Sequence, residues 1–338
     1  MKKKIIVGIV FLLVCAGSVF LANSILKIKS ADGIKQAEYM YSQKRDTVDV
    51  AFLGTSHVHC DVNTATLWDK YGIASYDYSG AEQPLWMTYY YFKELLKTQE
   101  PSVVVVDMYM PARDKEDFHY KWVRDNLYGM RFSTNKLDML QVSVEKERTP
   151  EFFPSFAGYH GRFSELGFAD LNYLFENRRQ KRAFKGYTPY FELEKFDKPD
   201  YETTECGGLT EKSKEYLVKI IELAEENDID LLLMSTPYVA TREEKMTFNE
   251  IERVASEYNV EFIDYNDLAE EMGIQYDADM NDYSHLNYDG GVKFTTFLGN
   301  NLKSRFDIPD RRGDSKYSSW DDNVDTIHKL AVENGVEE

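Results

Sequence analysis

Hydrophobic positions along the chain fall into two patterns. The first is an apolar run from Ile5 to Leu26, interrupted by Ser18, Asn23 and Ser24 and preceded by Lys2, Lys3 and Lys4. About 20 apolar residues cross a bilayer as a helix, and flanking lysines stay on the cytoplasmic side. Residues 1–26 are therefore expected to be an N-terminal transmembrane signal anchor that leaves the rest of the chain extracytoplasmic. Ala22, Asn23 and Ser24 also offer small residues at a cleavage point, so a removed signal peptide is the rival reading, with the same export. A lipid on Cys15 is disfavoured, because Val14 is bulky where lipid attachment wants a small residue.

The second pattern is a series of short apolar runs separated by amphipathic ones. Val48–Leu53, Ala74–Ser79, Ser102–Met108, Asp230–Pro237 and Glu261–Tyr265 read as strands. Pro84 suits the first turn of an aromatic helix over residues 85–99. Thr210 can cap a helix with Leu217, Ile220, Ile221 and Ala224 on one face; Thr241 and Glu244 form a capping box; Asp289 is the expected cap of a last helix reaching Phe306. Strands alternating with helices predict an α/β fold, a three-layer flavodoxin-like parallel sheet of about five strands with helices on both faces. This domain is expected over residues 48–308. Residues 27–47, polar and weakly periodic, read as a juxtamembrane spacer or short helix. Residues 109–207 break the rhythm and are too long for one loop, so they read as an insertion. Residues 309–338 read as a surface extension with one helix starting near Trp320.

Composition narrows the partners. A net charge of −18 and a pI near 4.9 argue against nucleic acid or anionic lipid as the main partner, since both need a basic face. Cys60 and Cys206 are the only cysteines beyond the apolar run, so no disulfide framework or zinc ribbon is implied, although one bridge between them stays open. The residues call for no cofactor.

Candidate chemistry lies in two blocks. Gly54-Thr55-Ser56-His57 follows the first strand, where ligands of open α/β sheets sit, and Gly54 permits a tight exit. The run Asp61-Val62-Asn63-Thr64 can cap a following helix, so the Ser56 amide is placed to face an anion near a helix N-terminus. Asp282-Tyr283-Ser284-His285 precedes the last helix. A nucleophilic serine needs a base and a carboxylate to orient it, and Asp-x-x-His supplies both from one turn.

With these two blocks after the first strand and before the last helix, residues 48–108 and 210–305 resemble the SGNH (GDSL-like) hydrolases. Gly-Thr-Ser-His stands where the family has Gly-Asp-Ser, as in its membrane-anchored members related to DltD and the alginate acetylation proteins. The resemblance implies Ser56 as nucleophile, His285 as base and Asp282 as its orienting acid, with the amides of Ser56 and Gly80 binding the oxyanion. Many members carry an asparagine donor after the third strand. Here that position is Asp107, whose charge would repel an oxyanion, and Gln83 and Asn126 are candidate substitutes. The function implied is an extracytoplasmic serine esterase or O-acyltransferase that moves an acyl group, in the first instance acetyl, on a cell-surface polysaccharide. Its partners would be a cell-surface glycan or acylated carbohydrate and a membrane-bound acyl donor protein.

Three other readings compete. His57, His59 and Asp61 resemble the His-x-His-x-Asp core of metallo-β-lactamase-type hydrolases, although Val62 stands where another histidine belongs. The α/β-hydrolase elbow is a poorer match, since Val58 replaces its last glycine. A glycan-binding or assembly protein on the same scaffold needs no catalysis at all. For substrate contact the candidates are His57, Gln83, Tyr159, His160, Arg162 and Lys185, rings to stack on sugars and cations to hold anions, with core packing as the alternative role of the aromatic members.

Overall fold

A computed structural model describes residues 2–153, 160–176, 181 and 183–336. Five parallel strands, β1 (Val50–Gly54), β2 (Ser75–Ser79), β3 (Val103–Asp107), β4 (Asp230–Ser235) and β5 (Glu261–Asp264), pair in the order β2-β1-β3-β4-β5. This is the flavodoxin-like α/β layer that the alternating pattern predicts. Every residue of β1, β2 and β3 is buried, so helices cover the sheet on both faces, as a parallel sheet requires. Burying each Val, Leu or Phe of these strands contributes roughly 1.5–3 kcal/mol, and Phe52, Leu53, Val105 and Leu233 form the centre of the core.

Registers decide where a site can form. Gly54 lies beside Ser79, Asp107 beside Met234 and Ser235 beside Asp264, so the carboxyl ends of all five strands share one rim. Strand order reverses at β1, which sends one crossover to β2 and is flanked by β3 on its other side. That reversal creates the crevice in which open α/β sheets hold ligands, and Ser56 follows immediately.

Several boundaries differ from the sequence pattern. Of the two readings of residues 27–47, the structure shows the short helix: Ile34–Met40 docks on β2 and buries Ile34, Ala37 and Met40. The expected insertion is built from short helices, among them Tyr109–Arg113, Val123–Tyr128, Thr134–Ser143 and Phe168–Phe175, followed by residues 187–210 without helix or strand. Asn287, not Asp289, caps the last sheet-covering helix, Tyr288–Arg305, by accepting from the Gly290 amide. The C-terminal helix, Ser319–Glu333, is packed rather than peripheral. It lies on Thr64–Tyr71, buries Trp320 and Ile327, and ties Trp320 Nε1 to the Ser75 carbonyl at 3.0 Å. At the other end, Lys2–Leu26 forms a 25-residue helix long and apolar enough to cross a membrane.

Candidate active site

Gly54 leaves β1 with φ +132°, and a Cβ there would meet the Asp107 Cβ at 2.8 Å. Only glycine combines that backbone with that closeness. Thr55 then caps the helix Ser56–Asp61, its Oγ1 accepting from the His57 amide. The same hydroxyl donates to Asp107 Oδ2 at 2.5 Å, and the amides of Thr55 and Tyr109 donate to the Asp107 carboxylate at 3.3 and 3.1 Å. Burial pushes the Asp107 carboxyl up to about 6, against the pull of these donors. The residue that seemed to threaten an oxyanion site thus spends its acceptor oxygens on the turn that presents Ser56.

The opposite wall is the loop before Tyr288–Arg305, closed by a bridge between Met280 and Leu286. Asp282 Oδ1 accepts from the amides of Ser284 and His285 at 2.8 and 3.0 Å, an Asx turn that folds the carboxylate back over the imidazole. His285 Nδ1 lies 3.1 and 3.0 Å from the two Asp282 oxygens, and its Nε2 lies 2.8 Å from Ser56 Oγ. Burial alone would raise Asp282, but the His285 contact holds it well below the ordinary carboxylate range. For His285 burial works downward and is outweighed by Asp282, Asp61 and Asp107, which raise it above 6.5. A base so placed can take the Ser56 proton while Asp282 keeps Nδ1–H oriented.

Behind the imidazole runs a buried polar chain. Asp61 Oδ1 accepts from the Leu286 amide at 3.0 Å, and its Oδ2 from Thr236 Oγ1 at 2.7 Å. Thr236 Oγ1 lies 2.8 Å from His57 Nδ1, His57 Nε2 lies 2.9 Å from Ser284 Oγ, and Ser284 Oγ lies 3.2 Å from the Tyr109 hydroxyl. Tyr109 also stacks on the His57 ring at 3.9 Å. His57 is therefore no substrate contact: it is 0 % exposed, and burial keeps it neutral, well below 6.5. The chain joins the helix that starts with Ser56 to the loop that carries His285.

The metal alternative does not fit this geometry. Both His57 nitrogens are taken by hydroxyls, and His59 turns to Ser79 Oγ at 2.9 Å on β2. Among the described residues no three His, Cys, Asp or Glu side chains are arranged to hold a metal ion. The Gly80 amide donates to the Gly54 carbonyl at 3.1 Å, as a continuation of the ladder. Gln83 Nε2 donates to Asn126 Oδ1 at 2.7 Å and its Oε1 accepts from Thr88, so both amide side chains brace the Gly80 turn from behind. No hydrogen bond to protein takes up the Ser56 amide among the described residues.

Two of the expected sugar contacts are structural. Lys185 is 0 % exposed, donates to Gln43 Oε1 and Ser319 Oγ, and sits 3.7 Å from the centroid of the Trp320 ring. Arg162 donates to the carbonyls of Leu26 and Lys27 at the end of the N-terminal helix. Tyr159 lies outside the described residues, and for His160 only a place in a short 3₁₀ turn is described. Residues that sequence reasoning did not single out include Thr55, Tyr109, Thr236, Ser284 and Tyr190, whose ring meets His285 edge-on at 5.6 Å. Isolated hydroxyls at strand ends carry no pattern of their own; only their position on the shared rim does.

No protein-family profile and no curated protein matches the chain. Among solved structures it is similar to a protein assigned to the lipolytic G-D-S-L family from Desulfitobacterium hafniense, with 11 % identity over 74 % of this chain and 97 % of the other, TM-score 0.38. It is also similar to a protein assigned as an acylhydrolase from Bacteroides fragilis, with 12 % identity over 82 % and 99 % of the two chains, TM-score 0.41. Neither likeness is close enough to transfer a reaction to this chain.

Proposed function

We propose that the protein is an SGNH-type serine hydrolase, an esterase or O-acyltransferase that handles acyl groups of cell-surface carbohydrate from a membrane-anchored position. The observation that carries this reading is the 2.8 Å contact between Ser56 Oγ and His285 Nε2, with Asp282 at 3.0 Å on the far nitrogen. Ser56 Oγ attacks the ester carbonyl carbon and passes its proton to His285 Nε2. The ester C–O bond then breaks, and His285 gives that proton to the departing alcohol, leaving the acyl group on Ser56. Water or a sugar hydroxyl next attacks the acyl carbon, its proton passing through His285 back to Ser56 Oγ as the second C–O bond breaks.

The Ser56 amide, at a helix start, is the first donor for the oxyanion. A second from Gly80 requires that its amide let go of the Gly54 carbonyl. That commitment is the one feature favouring the alternative, a non-catalytic glycan-binding or assembly protein. The carbohydrate assignment rests on the export signal and on the resemblance of the two motif blocks to membrane-anchored acylation proteins, since Lys185 and Arg162 no longer support it. A serine-directed fluorophosphonate probe decides between the readings. Labelling of the wild type that is lost in Ser56→Ala is the expected result; no labelling of well-folded wild type means binding instead.

A further inference from the structure

An amphipathic helix on the surface of a water-soluble protein turns its apolar stripe inward and its polar side outward. Phe168–Phe175 does the reverse. Its inward side is polar: Asp170 is buried and accepts from Lys29 Nζ at 2.7 Å, and the Tyr173 hydroxyl donates to Glu38. Its outward side carries Phe168, Leu171, Leu174 and Phe175, with Phe168 86 % and Phe175 82 % exposed. Phe163 and Leu166, just before it, are exposed as well. A patch of this kind needs a nonaqueous partner.

Its position says which. The helix packs against the N-terminal helix Lys2–Leu26, and Arg162, six residues before its start, donates to the Leu26 and Lys27 carbonyls where that helix ends. Beside it opens a cleft of about 340 Å³ lined by Arg131, Lys181 and Tyr173 and by Lys27, which is paired with Glu38 and lowered to about 7 by burial, so that Arg131 and Lys181 supply its positive charge. Apolar rings next to the end of a bilayer-length helix, with cations at the same level in an otherwise acidic protein, match the layering of acyl chains beneath phosphates.

We propose that residues 161–175 form a second, interfacial membrane contact, with Phe163, Leu166, Phe168, Leu171, Leu174 and Phe175 seated in the lipid at the exit of the N-terminal helix. The proposal rests on that helix spanning a bilayer and is independent of the reaction at Ser56.

The test is nitroxide labelling of the full chain in C15S/C206S, reconstituted in vesicles of phosphatidylcholine and phosphatidylglycerol; Cys60 is buried. Labels go at L171C and F175C, with E252C as an exposed reference and L13C inside the N-terminal helix. Relaxation by oxygen and by a water-soluble nickel chelate reports depth. The proposal expects residues 171 and 175 to be open to oxygen and shielded from nickel, the inverse of residue 252. Nickel access at 171 and 175 equal to that at 252 overturns it, with 13 still shielded showing that the anchor stands. Shielding from both reagents together with spin–spin broadening between copies also overturns it, in favour of a protein partner. Nickel access at 13 removes the anchor and the proposal together.

Discussion

Asp282 touches His285 through both carboxylate oxygens, and that contact, together with the charges of Asp61 and Asp107, keeps the imidazole above its ordinary 6.5 despite burial. Acyl transfer needs His285 neutral, so activity should rise with pH through a midpoint above 6.5. Asp282→Asn removes the charge that favours the imidazolium; the midpoint should then move down, and kcat should fall on the order of 10³–10⁴-fold. A pH profile of p-nitrophenyl acetate hydrolysis in both proteins checks this, and an unmoved midpoint would sink the assigned role. At this scale the two motif blocks marked Ser56, Asp282 and His285, which the fold brings together. The sequence misled about His57 and Lys185, whose polar heads point to solvent in most proteins, whereas here hydroxyls and an indole ring satisfy them inside.

Elements differ in how openly they announce themselves. The buried strands are legible because a sheet covered on both faces demands continuous apolar runs, and β3 with four valines is the clearest case. The C-terminal helix is not, since its charged exterior hides the fact that Trp320 reaches the Ser75 carbonyl and covers Lys185. Trp320→Ala should therefore cost roughly 3–5 kcal/mol, measured by chemical denaturation of the full chain in detergent. A loss under about 1 kcal/mol, the range of surface substitutions, would return residues 309–338 to the status of a loose extension. A second element-level contact holds the turn after Gly80: His119 Nε2 lies 2.7 Å from Glu82 Oε2 and its Nδ1 3.1 Å from Asp114 Oδ2. Burial lowers His119, but the two carboxylates lift it to about 9, while His119 and Lys121 bring Glu82 down to about 2. The stabilisation from His119 is complete below its unfolded value of 6.5 and fades as pH rises through 9; that from Glu82 is complete above 4.5 and fades as pH falls through 2. Melting temperature should carry a plateau between those two limits in the wild type, and its alkaline shoulder should flatten in His119→Ala. Identical profiles would show the clamp to be inert.

Viewed whole, the molecule joins a sheet whose rim was foreseeable to a packing of residues 27–47 and 161–175 that was not. Strand order and rim follow from the alternation of apolar and amphipathic segments, but the docking of residues 27–47 and 161–175 depends on pairs such as Lys29 with Asp170, separated by 141 positions and invisible to any local pattern. Those pairs have a mechanical consequence. Arg162 donates to the Leu26 and Lys27 carbonyls where the N-terminal helix ends, and Lys29, three residues beyond that end and five before Ile34, is paired with Asp170, so the helix exit is tied to the body at two points. On the proposal that the N-terminal helix spans a bilayer, these contacts would couple its orientation to that of the body and hold Ser56 at one height relative to the lipid plane. A flexible Gly-Ser insert after Lys29 should leave turnover of a soluble ester unchanged while depressing turnover of an ester carried on a vesicle lipid; equal loss of both would mean that the joint supports the fold rather than the aim. A swivelling enzyme can search in every direction from its tether. On the function proposed above, this chain would be mounted like a fixed tool, and its substrate would have to be brought to the blade.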